Sequence, residues 1–240
     1  MHKISIPSYA IEAARRRRPS LHVFNEIVPA RTAVLVIDMQ VGFVQPGEIA
    51  GNQHALDVVS NINSLTREAR QQGATIVYLR HTYDPQTTDR DWSLWLEHFM
   101  GPTKRDLMKD TFRPGGRGHD IDASLERQPQ DLVIDKTRFS AFIQGSSDLH
   151  ARLQALKIDT LIVTGTLTNI CCETTARDAM MLNYKVFFVS DATAARGDDE
   201  HNAALGALVA MFADVRPASE VLGLLQGCPR SHARTEDQMV

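Results

Sequence analysis

The chain has 240 residues, 43% of them hydrophobic, which is typical of one α/β domain with a sizeable core. Its formal net charge of −3 gives no indication of a nucleic-acid partner, and no apolar run approaches the ~18 residues that a membrane span requires. Its three cysteines, Cys171, Cys172 and Cys228, are odd in number and two are adjacent, which argues against a disulfide framework. We therefore expect a cytoplasmic protein that binds neither nucleic acid nor membranes.

The chain divides into an N-terminal arm at residues 1–30, a domain at 31–226 and a C-terminal tail at 227–240. The arm carries four consecutive arginines at 15–18. Such a run is usually solvated or forms a contact between subunits. The tail has the composition of a frayed terminus.

Strand-like and helix-like segments alternate through the domain. Strands are predicted near 32–38, 74–80, 131–135, 159–164 and 185–190, with a weaker one near 214–216. Helices are predicted near 54–72, 146–156, 169–183 and 199–212. This alternation predicts a single-domain α/β fold with three layers, α/β/α, around a six-stranded, mainly parallel sheet.

One connection, at 81–130, is unusually long for such a domain. It contains Trp92, Trp95 and Phe99 at helical spacing. Because long insertions in compact domains are usually functional, residues 81–120 are interpreted as a lid or a subunit contact. The alternative is that the two tryptophans only attach the loop to the body of the domain.

Three reactive side chains stand at or just beyond the carboxyl ends of predicted strands. Asp38 ends the first apolar run, Lys136 ends the third, and Cys171 lies in the first turn of the helix after the fourth. Ligand sites of open α/β sheets lie at this edge, where a base, a cation and a thiol can form an activated nucleophile. The structural alternatives are a helix N-cap for Asp38, an exposed lysine and a packing cysteine.

The position of Cys171 at the start of a helix carries two further expectations. The partial positive charge of a helix N-terminus stabilises a thiolate relative to a thiol. Free backbone N–H groups at the same place can hold a developing oxyanion.

Three motifs extend this pattern: Val-Ile-Asp-Met-Gln at 36–40, followed by Phe43, Lys-Thr-Arg-Phe-Ser-Ala-Phe at 136–142, and Gly-Thr-Leu-Thr-Asn-Ile-Cys-Cys at 165–172. In order and spacing they resemble the isochorismatase-like cysteine hydrolases, which have a Rossmann-like fold. That family includes nicotinamidases and amidohydrolases of N-carbamoylsarcosine, ureidoacrylate, biuret and triuret. The resemblance implies a catalytic triad of Asp38, Lys136 and Cys171, with Cys172 as a packing neighbour.

The resemblance also implies other site features. It implies a cis peptide bond between Thr166 and Leu167, and an oxyanion hole formed by the N–H groups of Leu167 and Cys171. An arginine in the region of Arg196 holds the substrate carboxylate in N-carbamoylsarcosine amidohydrolase. The remaining substrate-binding residues expected from the matching motifs are Gln40, Phe43 and Phe142.

Metal and cofactor binding are not expected. Nicotinamidases carry an Asp-x-His type of metal cluster after the second strand, whereas this chain has His81 and Asp84 there, with no second histidine nearby. Stable transition-metal sites use three or four ligands. The chain also lacks the Gly-x-Gly-x-x-Gly motif of a dinucleotide-dependent oxidoreductase after its first strand.

The function implied is that of a cysteine-dependent amidohydrolase. Its substrate would be a small ureido or carbamoyl compound such as ureidoacrylate, biuret, triuret or an N-carbamoyl amino acid, and ammonia would leave from a thioester-type intermediate. One alternative is a nicotinamidase-like amidase that acts on an aromatic amide. Another is a non-catalytic binding member of the family. A homo-oligomer, either a dimer or a tetramer, is expected.

Overall fold

The computed structural model describes residues 1–83 and 92–227. Six strands form one sheet in the order β3-β2-β1-β4-β5-β6, and each pair of neighbours is parallel. The strands are β1 (Thr32–Ile37), β2 (Thr75–His81), β3 (Leu132–Lys136), β4 (Thr160–Thr166), β5 (Lys185–Ala194) and β6 (Asp214–Arg216). The prediction of a six-stranded parallel sheet is confirmed.

Helices cover both faces of the sheet. They are α1 (Ser8–Arg17), α2 (Val41–Val44), α3 (Val59–Gln71), α4 (Ser93–His98), α5 (Pro102–Thr111), α6 (Leu149–Ala155), α7 (Glu173–Met181), α8 (Asp198–Ala207) and α9 (Ala218–Leu225). Alternate strand residues point to opposite faces. On one face the strands pack against α1, α6, α7 and α8, and on the other against α3 and α9. The three predicted layers are therefore present.

The N-terminal residues pack against the domain on the α8 face. Ala10 and Ala14 of α1 are buried, and Ile4 and Ile6 contact the same core. Arg18 does not behave as part of a solvated basic run, because its guanidinium donates hydrogen bonds to the carbonyls of Leu21 and Val209, at 2.8 and 2.7 Å. The other three arginines of the run are exposed.

Two predicted helices differ locally from the expectation. The segment predicted at 169–183 begins with a π-helical turn, Thr168–Cys172, before α7, and α8 is followed by a similar turn at Leu208–Phe212. Helices α1, α2, α5 and α9 were not predicted, and α4 was indicated only by the helical spacing of Trp92, Trp95 and Phe99. In the described ranges, no helix combines the length and hydropathy needed to cross a bilayer. Assembly into a homo-oligomer and a cytoplasmic location stay predictions.

Candidate active site

Asp38 lies immediately beyond β1, where the chain turns towards α2. Its backbone is in the left-handed region, with φ of 52°, and its N–H donates to the carbonyl of Leu79 on β2 at 2.9 Å. Non-glycine residues seldom adopt this conformation, and those that do cluster at functional sites. The side chain is fully buried.

Lys136 is the last residue of β3, two strands away from Asp38 in the sheet. Its Nζ donates to Asp38 Oδ2 at 2.8 Å and to the carbonyl of Arg138 at 3.1 Å. The ion pair therefore crosses the end of β2, where His81 is in register with Lys136. Both charged side chains are 0% exposed.

Cys171 lies on the π-helical turn that follows β4. The N–H groups of Ile170 and Cys172 both donate to the carbonyl of Leu167, at 3.2 and 3.1 Å, which folds the turn tightly around that residue. The Cys171 side chain is 6% exposed, whereas Cys172 is fully buried with its thiol 3.8 Å from the carbonyl oxygen of Thr164. Of these two adjacent cysteines, Cys171 is the one with a small solvent-accessible surface.

The electrostatics of the site act against the stabilisation of a thiolate that a helix N-terminus would provide. Burial raises the pKa of the Cys171 thiol, and the Asp38 carboxylate raises it further, against the opposing effect of the Lys136 ammonium. Burial of the turn therefore favours the thiol form of Cys171, which would need a base to remove its proton before the sulfur could act as a nucleophile.

Asp38 has the properties of that base. Burial raises the pKa of its carboxyl, although Lys136 and the neighbouring thiol act in the opposite direction. Its Oδ1 atom is buried and has no hydrogen-bond partner among the described residues. For Lys136, burial alone would lower the pKa, but Asp38 and Cys171 raise it overall, so the ammonium form is retained.

The link between β4 and the nucleophile turn has the predicted peptide geometry. The bond between Thr166 and Leu167 is cis. Gly165 before it has φ of 113°, and a Cβ at this position would lie 2.1 Å from the carbonyl oxygen of Ile37. Only glycine allows β1 and β4 to approach this closely beside Asp38. The oxyanion hole formed by Leu167 and Cys171 stays a prediction.

The structure places the four predicted substrate-binding residues in different surroundings. Gln40 is buried, accepts the His81 N–H at 2.7 Å, and donates to the carbonyls of His81 and His119. Phe43 stacks on Phe112 with 4.4 Å between ring centroids. Gln40 thus connects two backbone segments, and direct contact of either residue with a substrate stays a prediction.

Phe142 and Arg196 are the other two predicted substrate-binding residues. Phe142 packs against His150 and Tyr184, with centroid distances of 6.2 and 5.6 Å. Arg196 is exposed and lies two residues beyond the end of β5, at the same sheet edge as Asp38. Their contact with a substrate also stays a prediction.

A group of aromatic residues lies beside the site, and sequence reasoning assigned Trp92 and Trp95 only to the long connection and gave Tyr83 no role. Trp92 and Trp95 both pack edge-on against Phe139, which follows β3, at 4.6 and 5.1 Å. Tyr83 packs edge-on against His81 at 4.7 Å. Burial raises the pKa of its phenol, and the charges of Cys171 and Asp38 also contribute. Tyr83 therefore keeps its proton close to the reactive groups, and its place two residues beyond β2 is the signal that could have identified it.

His81 lies at the end of β2, fully buried and in register with Lys136. Burial lowers the pKa of its imidazole well below the ordinary value, and the Lys136 ammonium lowers it further. A second cation beside Lys136 would meet the same repulsion. Within the described part of the chain, no group of three or more His, Cys, Asp or Glu side chains is arranged to hold a metal. Asp84 lies outside the described residues, so the absence of a metal stays a prediction.

Comparisons with known proteins show which family and fold the chain shares. The isochorismatase domain model matches residues 32–220. A probable inactive nicotinamidase of Arabidopsis thaliana is 33% identical over 72% of this chain and 85% of its own length. A ureidoacrylate amidohydrolase of Caulobacter vibrioides is 32% identical over 71% of this chain and 80% of its own length. The crystal structure of a cysteine hydrolase from Pseudomonas syringae pv. phaseolicola superposes with a TM-score of 0.75. The superposition covers 87% of this chain and 98% of that chain, and the two sequences are 30% identical.

Proposed function

Because the chain belongs to the isochorismatase-like family of cysteine hydrolases, we propose that it is an amidohydrolase of small ureido or carbamoyl compounds with Cys171 as its nucleophile. Family membership supports hydrolytic activity and similarity to ureidoacrylate amidohydrolases supports an amide substrate. The observation that carries the proposal is the buried ion pair of Asp38 and Lys136 next to the thiol of Cys171. Buried, perturbed titratable groups of this kind mark functional sites.

In the proposed reaction, the Cys171 sulfur attacks the amide carbonyl while its proton passes to Asp38 Oδ1. The N–H groups of Leu167 and Cys171 stabilise the tetrahedral oxyanion. Asp38 then returns the proton to the departing nitrogen, ammonia leaves, and an acyl-enzyme remains. Water attacks this thioester-type intermediate with Asp38 as base, which releases the acid and regenerates the thiol. Lys136 remains an ammonium and holds the carboxylate in position.

Two features support a carboxylate-bearing ureide as the substrate. Arg196 is exposed just beyond β5, where its guanidinium can reach a ligand at the carboxyl edge of the sheet. A guanidinium binds a carboxylate through two parallel hydrogen bonds. The relative from C. vibrioides is a ureidoacrylate amidohydrolase, which acts on a compound of this class.

A nicotinamidase-like activity is the second candidate, and the aromatic residues favour it. Tyr83, Trp92, Trp95 and Phe139 form an aromatic group beside the reactive side chains, which suits a flat ring. The relative from A. thaliana is a probable inactive nicotinamidase, so a non-catalytic role is the third outcome to test.

An ammonia-release screen separates the three candidates. The panel contains ureidoacrylate, biuret, triuret, N-carbamoyl amino acids and nicotinamide, and the Cys171→Ser variant provides the blank. We expect the highest kcat/KM for a ureide, with activity retained after exhaustive chelation. Preference for nicotinamide, or loss on chelation with recovery on zinc addition, would assign the second function. If no compound of the panel releases ammonia and intact-mass spectra show no acyl-enzyme, catalysis would be contradicted.

A further inference from the structure

Three histidines form a cluster outside the catalytic triad. His2 stacks on His201, with 4.3 Å between ring centroids and 16° between planes, and it also contacts His54 at 4.3 Å with a tilt of 47°. His2 and His201 are buried. The three residues come from the N-terminal segment, the connection before α3, and α8.

His201 contacts the turn that carries the nucleophile. Its Nδ1 lies 2.9 Å from the hydroxyl oxygen of Thr168, and both side chains are fully buried. Thr168 is the first residue of the π-helical turn that contains Cys171. The pKa of His201 is lowered to about 4 by burial and by His2, so its ring is neutral at physiological pH and the hydrogen bond is constant there.

His2 contacts the segment that carries Arg196. Its Nε2 accepts the N–H of Ala195 at 3.0 Å, which places the ring proton on Nδ1, where it can donate to Asp198 at 2.8 Å. Hydrogen bonds of Asn202 to the Ser5 N–H and the Lys3 carbonyl hold the N-terminal segment along α8. His2 therefore links residues 195–198 to His201, and the His201 ring contacts the turn that contains Cys171.

We propose that His2 and His201 are positioning residues, which set the place of Cys171 through Thr168 and of the Arg196 segment through Ala195. Cys171 can exchange a proton with Asp38 only at hydrogen-bond range, and displacement by about 1 Å can cost as much as a hundredfold in rate. The Thr168 bond fixes the first residue of the turn, three residues before the thiol. The inference rests on the proposed function only in taking Cys171 as the nucleophile.

Paired substitutions test the link to Thr168. His201→Leu and Thr168→Val each remove the hydrogen bond, whereas His201→Asn and Thr168→Ser keep a polar atom at the same place. We expect kcat for the best amide substrate to fall about fivefold in the first two variants, the rate equivalent of a typical net hydrogen bond, with KM nearly unchanged. The conservative variants should recover most of the loss. The double variant His201→Leu/Thr168→Val should be no slower than either single one.

A second measurement needs no substrate. Alkylation of Cys171 by iodoacetamide is followed by peptide mapping, which separates this thiol from Cys172. A looser turn relieves the burial that raises the thiol pKa, so we expect faster alkylation in His201→Leu, Thr168→Val and His2→Leu. The matched control is His22→Leu. This histidine also binds an aspartate, Asp214, at 2.9 Å, but at the first residue of β6, away from the carboxyl edge.

Additive effects in the double variant, equal effects of Asn and Leu at position 201, or wild-type alkylation in the three variants would overturn the proposal. So would equally fast alkylation in His22→Leu, because that would show general loss of stability. If His201→Leu does not fold, Thr168→Val and Thr168→Ser carry the same comparison. If the wild-type protein hydrolyses no amide, the proposed function fails, and the alkylation series still decides whether these histidines position Cys171.

Discussion

Among residues 1–83 and 92–227, two pairs of opposite charge are fully buried, and they differ in how far their carboxylates are hydrogen-bonded. Asp214 and Arg216 lie on the edge strand β6, and Asp38 and Lys136 lie at the carboxyl edge. Asp214 accepts two hydrogen bonds from Arg216, one from His22, and two from the backbone N–H groups of residues 23 and 24. Asp38 accepts one well-formed hydrogen bond, from Lys136, and the Cys171 thiol and the His81 backbone also act on it, whereas its Oδ1 meets no donor at hydrogen-bond geometry among the described residues.

This difference in hydrogen bonding gives the two carboxyls pKa shifts of opposite sign. Burial raises the pKa of both carboxyls, but at Asp214 the hydrogen bonds from His22, Arg216 and the Phe24 N–H outweigh it and the pKa is lowered. At Asp38 burial prevails and the pKa is raised. A buried carboxylate whose oxygens all accept hydrogen bonds is a poor proton acceptor. An equally buried carboxylate that accepts fewer hydrogen bonds is a better one. The comparison therefore separates a structural pair from a reactive pair.

The largest expected effect concerns the two adjacent cysteines beside the reactive pair. Cys171→Ser should lower kcat/KM by about 10⁴-fold or more, because a hydroxyl next to Asp38 is a far weaker nucleophile than a thiol. Cys172→Ala should keep most of the activity, because the Cys172 thiol is turned to the backbone carbonyl of Thr164, at 3.8 Å. Initial rates of ammonia release, with circular dichroism as a folding control, measure both. An inactive Cys172→Ala and an active Cys171→Ser would reverse the assignment.

The next effect tests Asp38 as the proton acceptor. Asp38→Asn keeps the size of the side chain but removes its basicity, and kcat should fall by about 10²–10⁴-fold, the usual contribution of general acid–base catalysis. The pH profile of kcat/KM should also lose its lower limb. A variant with near-normal turnover would show that the under-bonded carboxylate has no role in the chemistry.

The same substitution in the other pair should change stability instead of turnover. Asp214→Asn removes the buried charge that faces Arg216 and leaves Glu220, 3.2 Å from the guanidinium, as its carboxylate partner, so the free energy of unfolding should fall by about 3 kcal/mol, the lower end of the range for a broken buried pair. Because the pKa of Asp214 lies below its ordinary value of 3.8, the carboxylate stabilises the fold above about pH 3.8 and this contribution is lost as the pH falls further. The variant should lack that acid-dependent loss. Urea unfolding at several pH values measures this, and a large drop in kcat with unchanged stability would contradict the comparison.

The smallest expected effect lies at the rim of the reactive site. Arg196→Lys removes the planar pair of donors but keeps the charge, so kcat/KM for a carboxylate-bearing ureide should fall about tenfold. The value for neutral biuret should change much less. Equal changes for the two substrates would assign Arg196 a structural role and remove the main support for a carboxylate on the substrate.

The sequence by itself determined the sheet and the place of Asp38, Lys136 and Cys171 at its carboxyl edge. Apolar runs that end at Asp38, at Lys136 and before Cys171 are local patterns, and the carboxyl ends of parallel strands necessarily lie at one edge of the sheet. The cis bond at Thr166–Leu167 followed from the resemblance of the motif around it. These features are predictable because a few neighbouring residues specify each of them.

Only the tertiary structure decided the protonation of the reactive groups and the contacts between distant segments. Asp38 and Asp214 are both acidic residues at the end of a strand, and hydrogen bonds from residues far away in the chain distinguish them. The sequence suggested a thiolate at Cys171, but burial of the whole turn raises the pKa of its thiol. The stack of His2 on His201 joins residues at opposite ends of the chain. Burial and hydrogen-bond partners depend on how the elements pack, and the local periodicity of a sequence does not contain that information.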